Sequence, residues 1–381
     1  MMRNVFLILF ISLLFCHCKA QTNNYVDGNY VTKGGWGSLK ISTLEIITAH
    51  IKKVSYEIET SGGDISTCEL SGEIQNGKSK PISWDKNNQC VIDFKTSDDS
   101  VEISSNTRQE CQLSFCGARA SFDGVYIKLK PECEAKSRGI AKVKFATLYN
   151  RKKYLEAFQT LEDLLFNCEN ILDWQELGNV KNDLAITQYH LYDYSECIKT
   201  LEPYAKEASM SDNEILKKYS IDAANADAEL RLLRSARTNL KLCSANHDFL
   251  KIIEGNYSVP ASHCSEKEEN FLAVCSGDVH DTLSIKRISD NSAKFEVESI
   301  QRNFAECGAS GVAVVEGDKL VYVSTEDDVT KGFQINIQLW HGKLTFHVIA
   351  PAELTENSDP FCGFNATLNN LEFDLKNKTP N

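Results

Sequence analysis

The chain has 381 residues, room for two or three domains, and ordinary globular composition: 42% hydrophobic and 25% charged. A formal charge of −12 argues against a nucleic-acid backbone or an anionic membrane surface as partner, because both need a basic face. A basic partner fits the charge, since opposite sign speeds encounter.

The N-terminus reads as an export signal. Arg3 gives a positive start and residues 5–15 form an apolar run broken by one serine. Cys18-Lys19-Ala20 then puts small residues where a signal peptidase reads. Residues 1–20 are expected to be removed, leaving a periplasmic or secreted protein. Later apolar runs are too short to cross a membrane as a helix. Of fourteen cysteines, two lie in this leader, which leaves an even twelve. In an exported chain these read first as disulfides.

Residues 25–133 read as an all-β domain. Alternating runs such as "SLKISTLEI", "CVIDFKT" and "VYIKLK" are punctuated by "SGGD", "QNGK" and "SDDS". Residues 134–250 read as helical, being poor in glycine and rich in Leu, Ala, Glu and Lys. Tyr154-Ala157-Leu161 recurs 40 positions on as Tyr194-Cys197-Leu201, and Leu233-Ala236-Leu240 follows. The i, i+3, i+7 spacing places each set on one helix face and predicts three helical hairpins. The stretch "NDLAITQYHLYDYSECIKTLEPY" resembles a tetratricopeptide repeat, with Ala185 in a first helix, Asp193-Tyr194 at the turn and Pro203 after the second. Residues 252–376 return to β character in "LSIKRI", "AKFEVES", "FQINIQLW" and "KLTFHVI".

The β segments repeat each other. "CGARASFDGVYIKLK" from Cys116 aligns without a gap on "CGFNATLNNLEFDLK" from Cys362. "DGNYV" answers "EGNYSV", "SYEIET" answers "KFEVES" and "CELSG" answers "CGASG", in the same order. Asp123-Gly124 and Asn369-Asn370 both suit a two-residue hairpin turn, so strand–turn–strand is expected at both places. The expected fold is α+β and multidomain. Two small antiparallel β barrels or sandwiches, related by internal duplication, flank a tetratricopeptide-like helical module.

The duplication favours two disulfides, Cys68–Cys116 and Cys307–Cys362. The competing pattern is Cys68–Cys90, with Cys116 joined to Cys111 or Cys133. Cys264–Cys275 would close the insertion "SHCSEKEENFLAVCSGDVH", where His263, Cys264, Cys275 and His280 also have the composition of a zinc site. Cys168 and Cys197 are expected to tie adjacent helices and Cys111–Cys133 to end the first β domain. Cys90 and Cys243 find no assignment.

The stretch "STCELSGEI", the motif from Cys111 to Tyr126 and the helical "NDLAI" and "YSECIKTL" together resemble a group of exported bacterial proteins without assigned activity. That resemblance covers residues 25 to about 205. Some relatives in that neighbourhood carry lysozyme-inhibitor-like labels, which implies inhibition of an extracytoplasmic hydrolase as one function.

No phosphate loop, His-Glu-x-x-His or Gly-x-Ser-x-Gly motif is present, and no catalytic residue, cofactor or metal is expected. Binding candidates are Arg119, as an anion contact, and Trp340 with His341 at the "HGK" turn. The expected function is a non-enzymatic exported binding or scaffold protein, engaging a protein or peptide, with a basic one suited to the charge, through the helical repeat or a β-domain surface. The alternatives are the hydrolase inhibitor and a carboxylate-dependent hydrolase acting on wall or sugar polymers.

Overall fold

A computed structural model describes residues 25–48, 51–62, 66–83, 89–219, 223–245, 247–261, 279–301, 305–325, 329–352 and 359–381. The leader and the 262–278 insertion, with Cys264 and Cys275, lie outside the described residues.

Eight strands come first: β1 (Gly28–Thr32), β2 (Gly37–Thr48), β3 (Ile51–Ser61), β4 (Thr67–Ile74), β5 (Lys78–Ser79), β6 (Ile92–Ser97), β7 (Ser100–Ser105) and β8 (Gly124–Lys128). Neighbours in sequence pair antiparallel, and β8 returns to β1 with Tyr30 opposite Lys128. β4 and β5 meet through the Asn76-Gly77 turn, where both residues have positive φ as a tight hairpin requires. The sheet therefore curls into a nearly closed up-and-down barrel. Alternating side chains fill it, among them Leu39, Ile41, Tyr56, Ile58, Phe94, Ile103 and Tyr126. The segment expected to be all-β also holds a helix, α1 (Arg108–Phe115), which carries Cys111.

The helical module follows: α2 (Ala135–Asn150), α3 (Tyr154–Cys168), α4 (Trp174–His190), α5 (Tyr194–Ala208), α6 (Asp212–Lys218), α7 (Ala223–Cys243) and α8 (Phe249–Ile253). α2–α3 and α4–α5 are hairpins, each turning through a residue of positive φ, Lys152 and Tyr192. Ala157, Cys197 and Ala236 are fully buried, as their spacing predicts. In the third hairpin the first arm is short: the seven-residue α6 packs on α7, where Arg234 and Arg237 bond Asp212, and α7 also packs against α4 and α5. The i, i+3, i+7 pattern identifies a buried helix face but says nothing of how long its partner helix is. α4 and α7 come close because Gly178 has no side chain: a Cβ there would stand 2.2 Å from Leu232 Cδ1. Asn239 donates to Asn182 across the same contact.

The second sheet comprises β9 (Gly255–Pro260), β10 (His280–Ser289), β11 (Ser292–Ile300), β12 (Glu306–Glu316), β13 (Lys319–Val323), β14 (Gln334–Trp340), β15 (Lys343–Ile349), β16 (Glu372–Asp374) and β17 (Lys378–Thr379). It is the same antiparallel meander, with its last strand broken in two: β16 pairs with β15, and β17 pairs with β9. The registers coincide with those of the first barrel. Ile41 faces Tyr56 as Ile285 faces Phe295, and Tyr56 faces Gly72 as Phe295 faces Gly311. Gly28 and Gly255 share φ near 150°, and Tyr30 and Tyr257 each donate to the carbonyl four residues back. Asp27 caps Thr43 N–H as Glu254 caps Arg287 N–H.

The cysteine-glycine motif recurs, but not as the expected hairpin. Gly117 N–H donates to Thr67 O and Gly363 N–H to Glu306 O, each beside its cystine. A four-residue turn then ties Ala120 to Gly117 and Ala366 to Gly363. Asp123 and Gly124 lack positive φ, so no tight hairpin forms there; the Asp123 carboxylate instead accepts from Ser105 N–H and Oγ. Beyond this point the two copies slip. Val125 is 50% exposed, whereas Leu371, its partner in the ungapped alignment, is 7% exposed.

Five disulfides are formed among the described residues. Cys68–Cys116 and Cys307–Cys362 are the repeated pair, with Cα separations of 4.1 and 4.0 Å. The others correct the expected pairing. Cys111 bonds Cys90 because α1 lies over the chain entering β6, where Thr107 Oγ1 receives Val91 N–H. Cys133 bonds Cys168 because an antiparallel hairpin brings the start of α2 to the end of α3. Cys197 bonds Cys243 through the packing of α5 on α7. The chain forms two compact units, one of residues up to 131 with 170–173, the other of residues 132–169 with 174–381.

Candidate protein-binding face on the helical module

α2 differs in charge from the rest of this acidic chain. Residues 135–155 contain seven basic residues and no acid. On the inward side of α2 Phe145 is buried, while Arg138 and Lys142 both reach Glu176 on α4, at 3.0 and 2.6 Å. Burial alone would raise the Glu176 carboxyl, but the bonds and charges of these two cations outweigh it and lower its pKa. Asp183, on the same helix, is pushed up to about 6 by desolvation, with Lys142 opposing.

Among the described residues no side chain of another element partners the outward side of α2. Lys136, Ile140, Val143 and Thr147 lie at i, i+4, i+7 and i+11, which is one stripe of a helix. Ile140 is 61% and Val143 69% exposed. A Cβ on Gly139 would meet nothing within 4 Å, so another backbone could approach closely.

The hairpin turns are held by a chain of ring contacts running Phe145, Tyr149, Tyr154, His190, Tyr189, Tyr194 and His247. Tyr154 stacks on His190 at 4.4 Å and Tyr194 on His247 at 3.6 Å. Burial lowers the pKa of His190, whose Nε2 lies 3.1 Å from Tyr149 Oη. These faces are spent on one another and serve the solenoid.

The sequence-derived candidates fall in separate places. Trp340 and His341 adjoin at the β14–β15 turn, with ring centroids 4.3 Å apart. His341 N–H and Nδ1 both engage the buried Asp193 carboxylate, at 2.9 and 2.6 Å, and its ring packs on Phe158. His341 thus anchors the second barrel to the turn between α4 and α5. Sequence reasoning missed Asp193 in this role, since its partner lies 148 residues away. Arg119 stands in the four-residue turn of the first barrel, where its carbonyl crowds Gly62: a Cβ on Gly62 would lie 2.2 Å from it.

The carboxylates of the helical module that come together are Glu207 and Glu229, near Tyr219. Tyr219 Oη donates to Glu207 at 2.9 Å, and Lys218 also bonds Glu207. The Lys218 bond lowers the Glu207 carboxyl, while burial and the neighbouring Glu207 charge raise Glu229. Every one of these side chains comes from α5, α7 or the end of α6, so the cluster stitches helices together. Among the described residues no group of three or more His, Cys, Asp or Glu could hold a metal ion, and no helix is long and apolar enough to cross a membrane. Compared with known proteins, the chain matches no protein-family profile, no curated protein and no solved structure.

Proposed function

We propose that this is an exported, non-catalytic binding protein whose helical module presents α2 to a protein partner, with the disulfide-stapled barrels as its frame. Five disulfides suit an oxidising compartment. The carrying observation is the outward face of α2, with Ile140 and Val143 exposed beside basic side chains. Helical repeats bury such faces by stacking, and a first helix left bare is where something else can stack. The local charge favours an acidic contact at this face, opposite to what the whole-chain charge suggests. A photo-crosslinker at Val143, with a control at the exposed Val323 of β13, tests the reading in the native extracytoplasmic fraction. The expected result is a discrete adduct from position 143 alone. Adducts from 323 and none from 143 would move the binding surface to the barrel.

A further inference from the structure

We infer that the partner of the α2 face is a second copy of this chain, docked through the outer face of α3. The inference rests on the reading of α2 as a binding face and adds the identity of what covers it. α2 contains four basic residues and no acid; α3 contains Glu156, Glu162 and Asp163 and no base. The outward residues of α3 are Glu156, Gln159, Glu162, Asp163 and Phe166, which lie on one side of the helix. Phe166 is 89% exposed, a large apolar ring left open to solvent among the described residues. The two faces are complementary in kind: exposed Ile140 and Val143 among lysines on one, an exposed ring among carboxylates on the other.

That complementarity is not used inside the hairpin. Among the described residues the ion pairs of α2 run to Glu176 on α4, and Glu156 takes Lys153, just before α3. Lys136, Lys144, Glu162 and Asp163 are all exposed. α2 against α2 of another copy would set lysine against lysine, and a lipid surface would ask for more apolar side chains than two. α2 against α3 satisfies charge and apolar burial together. Gly139 leaves room for the Phe166 ring between the helices. Such a contact joins unlike surfaces, so it closes into a dimer only if both faces meet at once and otherwise extends copy by copy.

Sedimentation velocity of the disulfide-intact protein, across concentration and salt, tests this. The expected result is reversible association that weakens as salt rises. Lys144→Glu alone and Asp163→Lys alone should each weaken it about tenfold, and the two together should restore it. Both positions are exposed, and circular dichroism of each variant checks that folding is intact. A chain that stays monomeric at every concentration overturns the inference. So does association that ignores both swaps. If the chain is monomeric while Val143 still crosslinks to a foreign protein, the self-association fails but the proposed function stands. If neither occurs, both fail.

Discussion

Tyr56 sits fully inside the first barrel with its hydroxyl near that of Ser79, yet neither has a hydrogen-bond partner among the described residues. Burial pushes the phenol up to about 12. The second barrel places Phe295 at the same register. An unpartnered buried hydroxyl costs about 1–3 kcal/mol, so Tyr56→Phe is expected to raise stability by about 1 kcal/mol. Urea unfolding of the two proteins decides this. A lower midpoint for the variant would reveal an ordered partner on the hydroxyl. Single residues of this kind were partly legible in the sequence. The aligned "SYEIET" and "KFEVES" display the Tyr/Phe exchange, but only the register reveals that both rings point inward.

Between elements, Asp183 on α4 faces the cationic inner side of α2. Its side chain keeps contact with solvent, yet desolvation lifts its carboxyl to about 6, above the ordinary 3.8. The folded chain therefore holds this proton more tightly than the unfolded one. The cost of the charge is fully present above about pH 6 and fades as pH falls toward the ordinary value. Asp183→Asn is expected to raise the unfolding midpoint at pH 7 and to lose that advantage near pH 4. An equal shift at both pH values would assign the effect to packing. Elements were legible where their signals are local. "QNGK" predicts a turn that is present at Asn76-Gly77, and the recurring Cys68 and Cys307 predict two bonds that form. They were illegible where distant packing decides. The hairpin expected at Asp123-Gly124 yields to Ser105, and Leu233-Ala236-Leu240 marks a helix whose preceding arm is only the seven-residue α6, a length the spacing does not encode.

At the scale of the molecule, the cystines fit an oxidising, extracytoplasmic compartment, and the N-terminal pattern predicts how the chain reaches it. Sequencing the protein recovered from that compartment should begin at Gln21 or within a few residues. An intact Met1 in a cytoplasmic fraction would undo the export reading. The cystines also set how the molecule answers force. None of the five crosses another: Cys90–Cys111 nests inside Cys68–Cys116, and the rest follow in series. Pulled from its two ends, the chain cannot pay out the residues enclosed by each bond, spans of 48, 35, 46 and 55 positions. β5 to β7, all of α2 and α3, nearly all of α5, all of α6 and α7, and β13 to β15 stay looped while the threads between them straighten. Under tension the protein behaves as a string of locked knots with a short reach, and a reductant is what lengthens it.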